Sequence, residues 1–503
     1  MGHSAHHARN PTVRITPRAW ALVAAIVLPG TTVASEIRPP NVVLIVADDL
    51  GYGDLGCYGA KKLRTPHLDQ LAAKGTRFSS FYVSQPVCTA SRASLLTGCY
   101  ANRVSLFGAL NHQSTVGLHP AERLLPELLR EAGYATAIYG KWHLGDRPPF
   151  LPTRRGFDDF AGLPYSNDNG PLHPTMPGLP PLPFLRGERV IETNPDQGRF
   201  TRRFTDLAVE FIGANAHRPF ILYLPHVMPH VPIFASPEWR HRSAAGVYGD
   251  VVEELDSGVG EVLAAVRRHG LEANTLVLFI SDNGPFLSYG SHAGSAGPLR
   301  EGKLTTWEGG VRVPGIAYWP GRVPAGRVCD EPVMTIDLLP TLVRLAGAKS
   351  PALPIDGKDV GPILLGEPNA RSPHAAYFFY AGDELHAVRA GRWKLHLPHD
   401  YLTVNGPPGE GGKPANWGRA KPEAMSVSGL RGIASRHGYR VERTGQALYD
   451  LHADAGETRD VAAAHPDVVR ELLAHAERAR AELGDALTRR KGTGVRPCGD
   501  LKP

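Results

Sequence analysis

Two short polar groups carry the first chemical signal: Asp48-Asp49 and Asp282-Asn283. Each directly follows an apolar run. Together they offer only oxygen donors, the set that hard cations such as calcium and magnesium favour. Zinc would draw on cysteine or on several histidines at suitable spacing. Three carboxylates gathered in one place would also repel one another without a cation. Taken singly, Asp48-Asp49 could cap a helix and Asp282-Asn283-Gly284 could form a tight turn. That both pairs end apolar runs weighs toward a metal.

A second signal surrounds Cys88, in Pro86-Val87-Cys88-Thr89-Ala90-Ser91-Arg92-Ala93-Ser94-Leu95-Leu96-Thr97-Gly98. Thr89 or Ser91 could cap a short helix that Gly98 closes. Cys88 would then lie at a helix N-terminus, where backbone N–H groups stabilise an anion. Arg92 follows one turn later. On these grounds Cys88 is either a reactive thiolate or a buried structural cysteine. Lys141 and His143, and further on His226 and His230, again follow apolar runs.

The elements that would position these residues are readable from patterning. Residues 41–47, 135–139, 220–224 and 275–280 are continuous apolar runs, the pattern of strands covered on both faces in a parallel sheet. Amphipathic stretches at 66–73, 121–132 and 250–269 read as helices between them. In open α/β sheets ligands bind at the carboxyl ends of the strands. One site would therefore collect Asp48, Asp49, Lys141, His143, His230, Asp282 and Asn283. Pro/Gly-rich residues 171–183 and 405–422 read as long surface loops. A second domain is expected from about Pro373, with two strands around Gly391, another at 447–451 and a helix over 467–483. A loose tail is expected at 491–503.

Composition is that of an ordinary globular chain, with 42% hydrophobic and 21% charged residues. The formal net charge is +6, and three of the arginines behind it lie in the first 35 residues. The bias toward anions is weak and excludes a nucleic-acid binder. Basic residues, an apolar run over 20–28, Pro29-Gly30 and the small residues Thr32-Val33-Ala34-Ser35 read as a cleavable secretion signal. The run is too short for a stable membrane span, so a secreted or periplasmic protein is expected. Five cysteines, Cys57, Cys88, Cys99, Cys329 and Cys498, fit no zinc pattern and no disulfide framework.

The segment Cys88-Thr-Ala-Ser-Arg92 with Leu96-Thr97-Gly98 resembles the signature of the type I sulfatase family, in which this cysteine is oxidised to formylglycine. Gly140-Lys141-Trp142-His143-Leu144-Gly145 resembles the family's second signature. The likeness extends through residues 48–54, Pro164-Tyr165-Ser166-Asn167-Asp168, His230, residues 282–285 and Gly302-Lys303, and spans about 41–451. It implies an α/β fold: an alkaline-phosphatase-like sandwich with a large, mostly parallel central sheet, plus a smaller C-terminal α+β domain with an antiparallel sheet. The expected divisions are a signal over 1–35, a catalytic domain over 36–372 and the smaller domain over 373–490. Asp48, Asp49, Asp282 and Asn283 would be calcium ligands, with modified Cys88 completing the site and magnesium the second candidate. Arg92 would stabilise the formylglycine hydrate. Lys141, Lys303 and Ser166 would bind sulfate. His143 would orient the hydrate and assist sulfate release, and His230 would protonate the leaving alcohol.

The implied activity is hydrolysis of sulfate monoesters of sugars, aryl alcohols or lipids, after conversion of Cys88 by a formylglycine-generating maturation enzyme. The sequence departs from the commonest signature at Ala90, where proline is usual; this bears on conversion of Cys88 rather than on the later chemistry. Two rivals share the pocket: a phosphomonoester or phosphonate hydrolase of the same fold, and a non-catalytic binder of sulfated glycans. A complete nucleophile-and-acid set argues against the binder.

Overall fold

The computed structural model describes residues 8–12, 16, 39–419, 421–425, 427 and 429–501. The expected secretion signal lies almost wholly outside them. Among the described residues no helix is long and apolar enough to cross a membrane.

The four apolar runs form the strands Asn41–Ala47, Ala135–Lys141, Phe220–Pro225 and Thr275–Ser281. They lie side by side and parallel at the centre of an 11-stranded sheet, in the order Thr275–Ser281, Asn41–Ala47, Phe220–Pro225, Ala135–Lys141. Residues of the first strand alternate between two cores. Val42, Leu44 and Val46 pack with the helices Cys88–Thr97, Leu125–Glu131 and Leu338–Leu345. Val43, Ile45 and Ala47 pack with Pro66–Lys74, Phe200–Ala214 and Gly246–Arg268. Both faces are covered, which is why the run is apolar without alternation.

The sheet is mixed toward its edges. Arg312–Tyr318 runs antiparallel to Thr275–Ser281 and to Thr76–Tyr82, and Pro183–Arg186 runs antiparallel to Asp159–Leu163. The helix expected over 121–132 is confined to Leu125–Glu131, where Pro126 opens it and the Glu127 carboxylate accepts from the Leu124 N–H at 2.8 Å.

The C-terminal region forms a four-stranded antiparallel sheet, in the order Tyr377–Ala381, Glu384–Ala390, Trp393–His396, Ala447–Asp450. The helix Pro466–Leu483 packs on it. Phe379, Leu385, Leu395 and Leu448 join the same core as Val42 and Leu44, while Ala447 and Tyr449 pack in a small cluster with Trp307, Tyr401 and Leu451. The expectation of a loose tail is corrected wherever the tail is described. Gly499–Asp500 pairs with Val116–Gly117, and Arg496 binds Glu122 at 2.7 Å. An ion pair and a strand pairing fix what sequence patterning reads as an unpatterned end.

Candidate active site

The register of two neighbouring strands builds the centre. Ala47 lies opposite Ser281, so Asp48-Asp49 and Asp282-Asn283 leave the sheet together. The Asp282 N–H donates to the Ala47 carbonyl at 3.1 Å, and the Asp49 N–H donates to Asp282 Oδ1 at 3.2 Å. Asp49 has φ 66°, a left-handed conformation that a non-glycine residue holds only when its surroundings impose it. His143 has φ 64° for the same reason.

Each carboxylate has a cation. Lys141 Nζ is 2.6 Å from Asp48 Oδ2, and Lys303 Nζ is 2.7 Å and 2.9 Å from the two Asp49 oxygens. Arg92 donates twice to Asp282 Oδ2, at 3.1 Å and 2.7 Å, and lies 3.3 Å from Asp48 Oδ2. Its remaining terminal nitrogen donates to the Lys141 carbonyl at 3.0 Å. The guanidinium is thus committed to binding the acids together. All six charged groups are buried.

Cys88 opens the helix Cys88–Thr97, with Val87 capping it in extended backbone and Gly98 closing it at φ 68°. The expected side-chain cap is absent. Thr89 instead donates to the His143 carbonyl at 2.9 Å and accepts from the Leu110 N–H at 3.1 Å, tying three segments together. Cys88 Sγ lies 3.7 Å from Asp48 Oδ1 and 3.5 Å from Lys303 Nζ. Burial pushes the thiol up to about 12 against the pull of Lys141 and Lys303.

Electrostatics follow the same geometry. Burial raises the carboxyl of Asp48, but Lys141, then His230 and Arg92, outweigh it and hold it below its ordinary range. Asp282 is raised by burial and by Asp48, more than Arg92 lowers it. Burial opposes the charge on Lys303, yet Asp49 lifts it well above the ordinary lysine value. Burial, then Lys141, holds His143 well below the ordinary histidine value. Its Nε2 lies 2.7 Å from the Leu110 carbonyl, so Nε2 carries the proton and Nδ1, buried and without a partner, offers a lone pair. His230 Nδ1 lies 2.6 Å from the Val231 carbonyl, leaving Nε2 3.7 Å from Asp49 Oδ2.

A cavity of about 600 Å³ opens above this centre, and Cys88, His143, Ser166, His230 and Lys303 line it. Ser166 Oγ is buried with no partner. Asp48, Asp49, Cys88 and His230 present donor atoms within 4.8 Å of one another, a grouping that can hold a metal. The structure thus assembles every site residue expected from the sequence. It adds residues that sequence reasoning assigned no role: Asp168, His173, Phe286, Arg436 and His437 also line the cavity. Asp168 is held below the ordinary carboxyl range, His230 leading the neighbours that overcome its burial. It stands two residues from Ser166, its only signal. Arg436 and His437 come from the helix Gly429–His437, beside a loop-like stretch with no motif.

Residues 40–348 match the sulfatase family model, and residues 372–498 match the C-terminal region of aryl-sulfatase. Arylsulfatase A of Homo sapiens is 40% identical over 94% of this chain and 92% of its own length. N-acetylgalactosamine-6-sulfatase of Canis lupus familiaris is 40% identical over 75% of each chain. Among solved structures, the PsFucS1 sulfatase from Pseudoalteromonas sp. superposes with a TM-score of 0.73 at 28% identity, covering 88% of this chain and 91% of that one.

Proposed function

The chain belongs to the sulfatase family and is an enzyme that hydrolyses sulfate esters, and from that premise we propose a covalent mechanism in which Cys88, matured to formylglycine, faces the sulfur above a calcium site. The substrates are monoesters of sugars, aryl alcohols or lipids. One observation carries the reading: a buried, charge-balanced set of three carboxylates and three cations lies beneath a cavity that Cys88, His143, Ser166, His230 and Lys303 line.

The residues fit a hard cation. Asn283 Oδ1 is buried and unpartnered while its Nδ2 donates to Asp49 Oδ1 at 2.7 Å, so a lone acceptor stands among three carboxylates. Asp48, Asp49, Asp282 and Asn283 would hold calcium, or less suitably magnesium, with the oxygen of matured residue 88. A bound cation supplies polarisation of the sulfate and stabilisation of the attacking oxygen. An aldehyde hydrate at residue 88 supplies one hydroxyl for attack and a second whose deprotonation re-forms the carbonyl and expels sulfate.

The remaining work falls to side chains already in place. Lys141 and Lys303 stay cationic because Asp48 and Asp49 outweigh their burial, and they hold the sulfate oxygens. Ser166 donates its unpartnered hydroxyl to the same group. His143 takes a proton at Nδ1. His230, its Nδ1–H spent on Val231, delivers a proton from Nε2 to the leaving alcohol. Arg92 keeps the carboxylates together and lies close to residue 88. The N-terminal segment directs the chain to a secreted or periplasmic location, and a formylglycine-generating enzyme acts on it during maturation.

Membership of the sulfatase family implies a preference for the singly charged ester. A sulfate monoester carries one negative charge and a phosphate monoester nearly two at neutral pH. The calcium-loaded enzyme should cleave an aryl sulfate with higher kcat/KM than the matching aryl phosphate, measured by phenol release. The reverse order would overturn the sulfatase mechanism in favour of phosphoryl transfer.

A further inference from the structure

Lys303 differs from Lys141 in how it is held. Lys141 ends a central strand, whereas Lys303 sits on a turn flanked by two left-handed residues, Glu301 at φ 56° and Leu304 at φ 74°. From the catalytic side two backbone bonds hold the turn: Lys303 N–H to the Pro285 carbonyl and Leu304 N–H to the Pro86 carbonyl, both 2.9 Å. Within the turn Thr305 donates to the Gly302 carbonyl from its N–H at 3.2 Å and its hydroxyl at 2.8 Å, and Asp49 holds the Lys303 ammonium at 2.7 Å. Further support comes from the C-terminal sheet.

Lys394, on Trp393–His396, is fully buried. Its Nζ donates to the Thr306 carbonyl at 2.7 Å and pairs with Glu308 at 2.9 Å and Glu457 at 3.0 Å. Glu457 accepts from the Glu308 N–H at 2.6 Å, and its other oxygen lies 2.8 Å from His396 Nε2. Trp307 is stacked by the His396 ring at 4.0 Å and by the Arg300 guanidinium at 3.6 Å. Arg300 in turn donates to the Glu457 carbonyl at 3.1 Å. Residues 300–308 are thus gripped from behind by groups far away in sequence. Burying these charges is costly, and an apolar filling of the same volume would give comparable stability. What the charged network adds is a fixed position for the backbone it grips.

We propose that Lys394 and Glu457 are positioning residues for the sulfate-binding Lys303, which brings the C-terminal sheet into the catalytic apparatus. This rests on the reading of Lys303 as a sulfate ligand. The test is a double-mutant cycle in the full-length, matured, calcium-loaded enzyme, with Lys394→Met, Lys303→Ala and the pair, read as kcat/KM for an aryl sulfate and as Tm. Lys394→Met should lower kcat/KM about tenfold or more beside native Lys303, but less than about twofold when residue 303 is already alanine. Its Tm loss should be the same in both backgrounds. Equal activity losses in both backgrounds would show a merely structural role and overturn the proposal. If Lys303→Ala alone leaves kcat/KM unchanged, the reading of Lys303 fails instead. Should Lys394→Met not fold, His396→Gln, which loosens Glu457 without altering formal charge, completes the same cycle with the same criteria.

Discussion

At the scale of single residues, the reason for the proposed conversion of Cys88 lies in what its unmodified side chain could do. Burial pushes its thiol up to about 12 against the pull of two lysines. A hydroxyl there would meet a problem at turnover: attack would leave a sulfated side chain with no second hydroxyl to expel the sulfate. Cys88→Ser should therefore fold, bind calcium, react at most once and gain the mass of one SO3 group. Active wild-type protein should show the mass loss of thiol-to-aldehyde conversion at residue 88. Fully active protein with an intact thiol, or repeated turnover by the serine variant, would sink the formylglycine reading. Most residues of this site were legible because they stand beside one another in sequence at strand ends. The upward shift of the thiol was not, because helix position speaks for an anion while the burial that raises it depends on segments more than 200 residues away, such as Lys303.

At the scale of elements, the central strands could be read directly, since a strand buried on both faces leaves a continuous apolar run. Thr76–Tyr82 and Arg312–Tyr318 escaped the same reading. The first mixes Arg77, Ser79 and Ser80 with aromatics, and the second carries Pro314 and Gly315, both ordinarily depleted in strands. The strand that delivers Lys141 and His143 depends on a glycine. Gly140 has φ 137°, and a Cβ there would lie 1.8 Å from the Pro225 carbonyl oxygen of the neighbouring strand. Gly133, at φ 89°, has open space around the same position. Gly133→Ala should cost about 1–2 kcal/mol of backbone strain and spare kcat/KM. Gly140→Ala must also push neighbouring strands apart, so it should cost more than about 4 kcal/mol and at least tenfold in kcat/KM. Thermal melts and kinetics on both variants check this; equal costs would refute the close approach as the reason for glycine.

At the scale of the whole molecule, the site joins stretches of the chain that sequence reasoning had no means to order. Parallel strands connected by crossovers carry no mark of their neighbours, and the support of Lys303 by residues 394–457 leaves no local motif at all. The same arrangement sets how the protein should respond to losing the proposed metal. The candidate ligands come from two strand ends and one helix start, so an ion there would join elements far apart in sequence, as the Asn283–Asp49 bond already does across 234 residues. Were the three carboxylates otherwise unopposed, removing the ion would leave repulsion strong enough to open the core. They are opposed: Lys141, Lys303 and Arg92 each bind one of them at 2.7 Å or less. The stability owed to the ion is then mainly its binding free energy, about 2.7 kcal/mol at a hundredfold excess over Kd. In a chain of this size that corresponds to a shift of a few degrees in Tm. Chelation should accordingly abolish turnover while lowering Tm only slightly, with calcium restoring both. Asp282→Ala should abolish turnover in a folded protein that calcium no longer stabilises. Full activity in metal-free protein would eliminate the metal from the mechanism. Global unfolding on chelation would mean that the buried lysines and arginine do not hold the carboxylates as the structure places them.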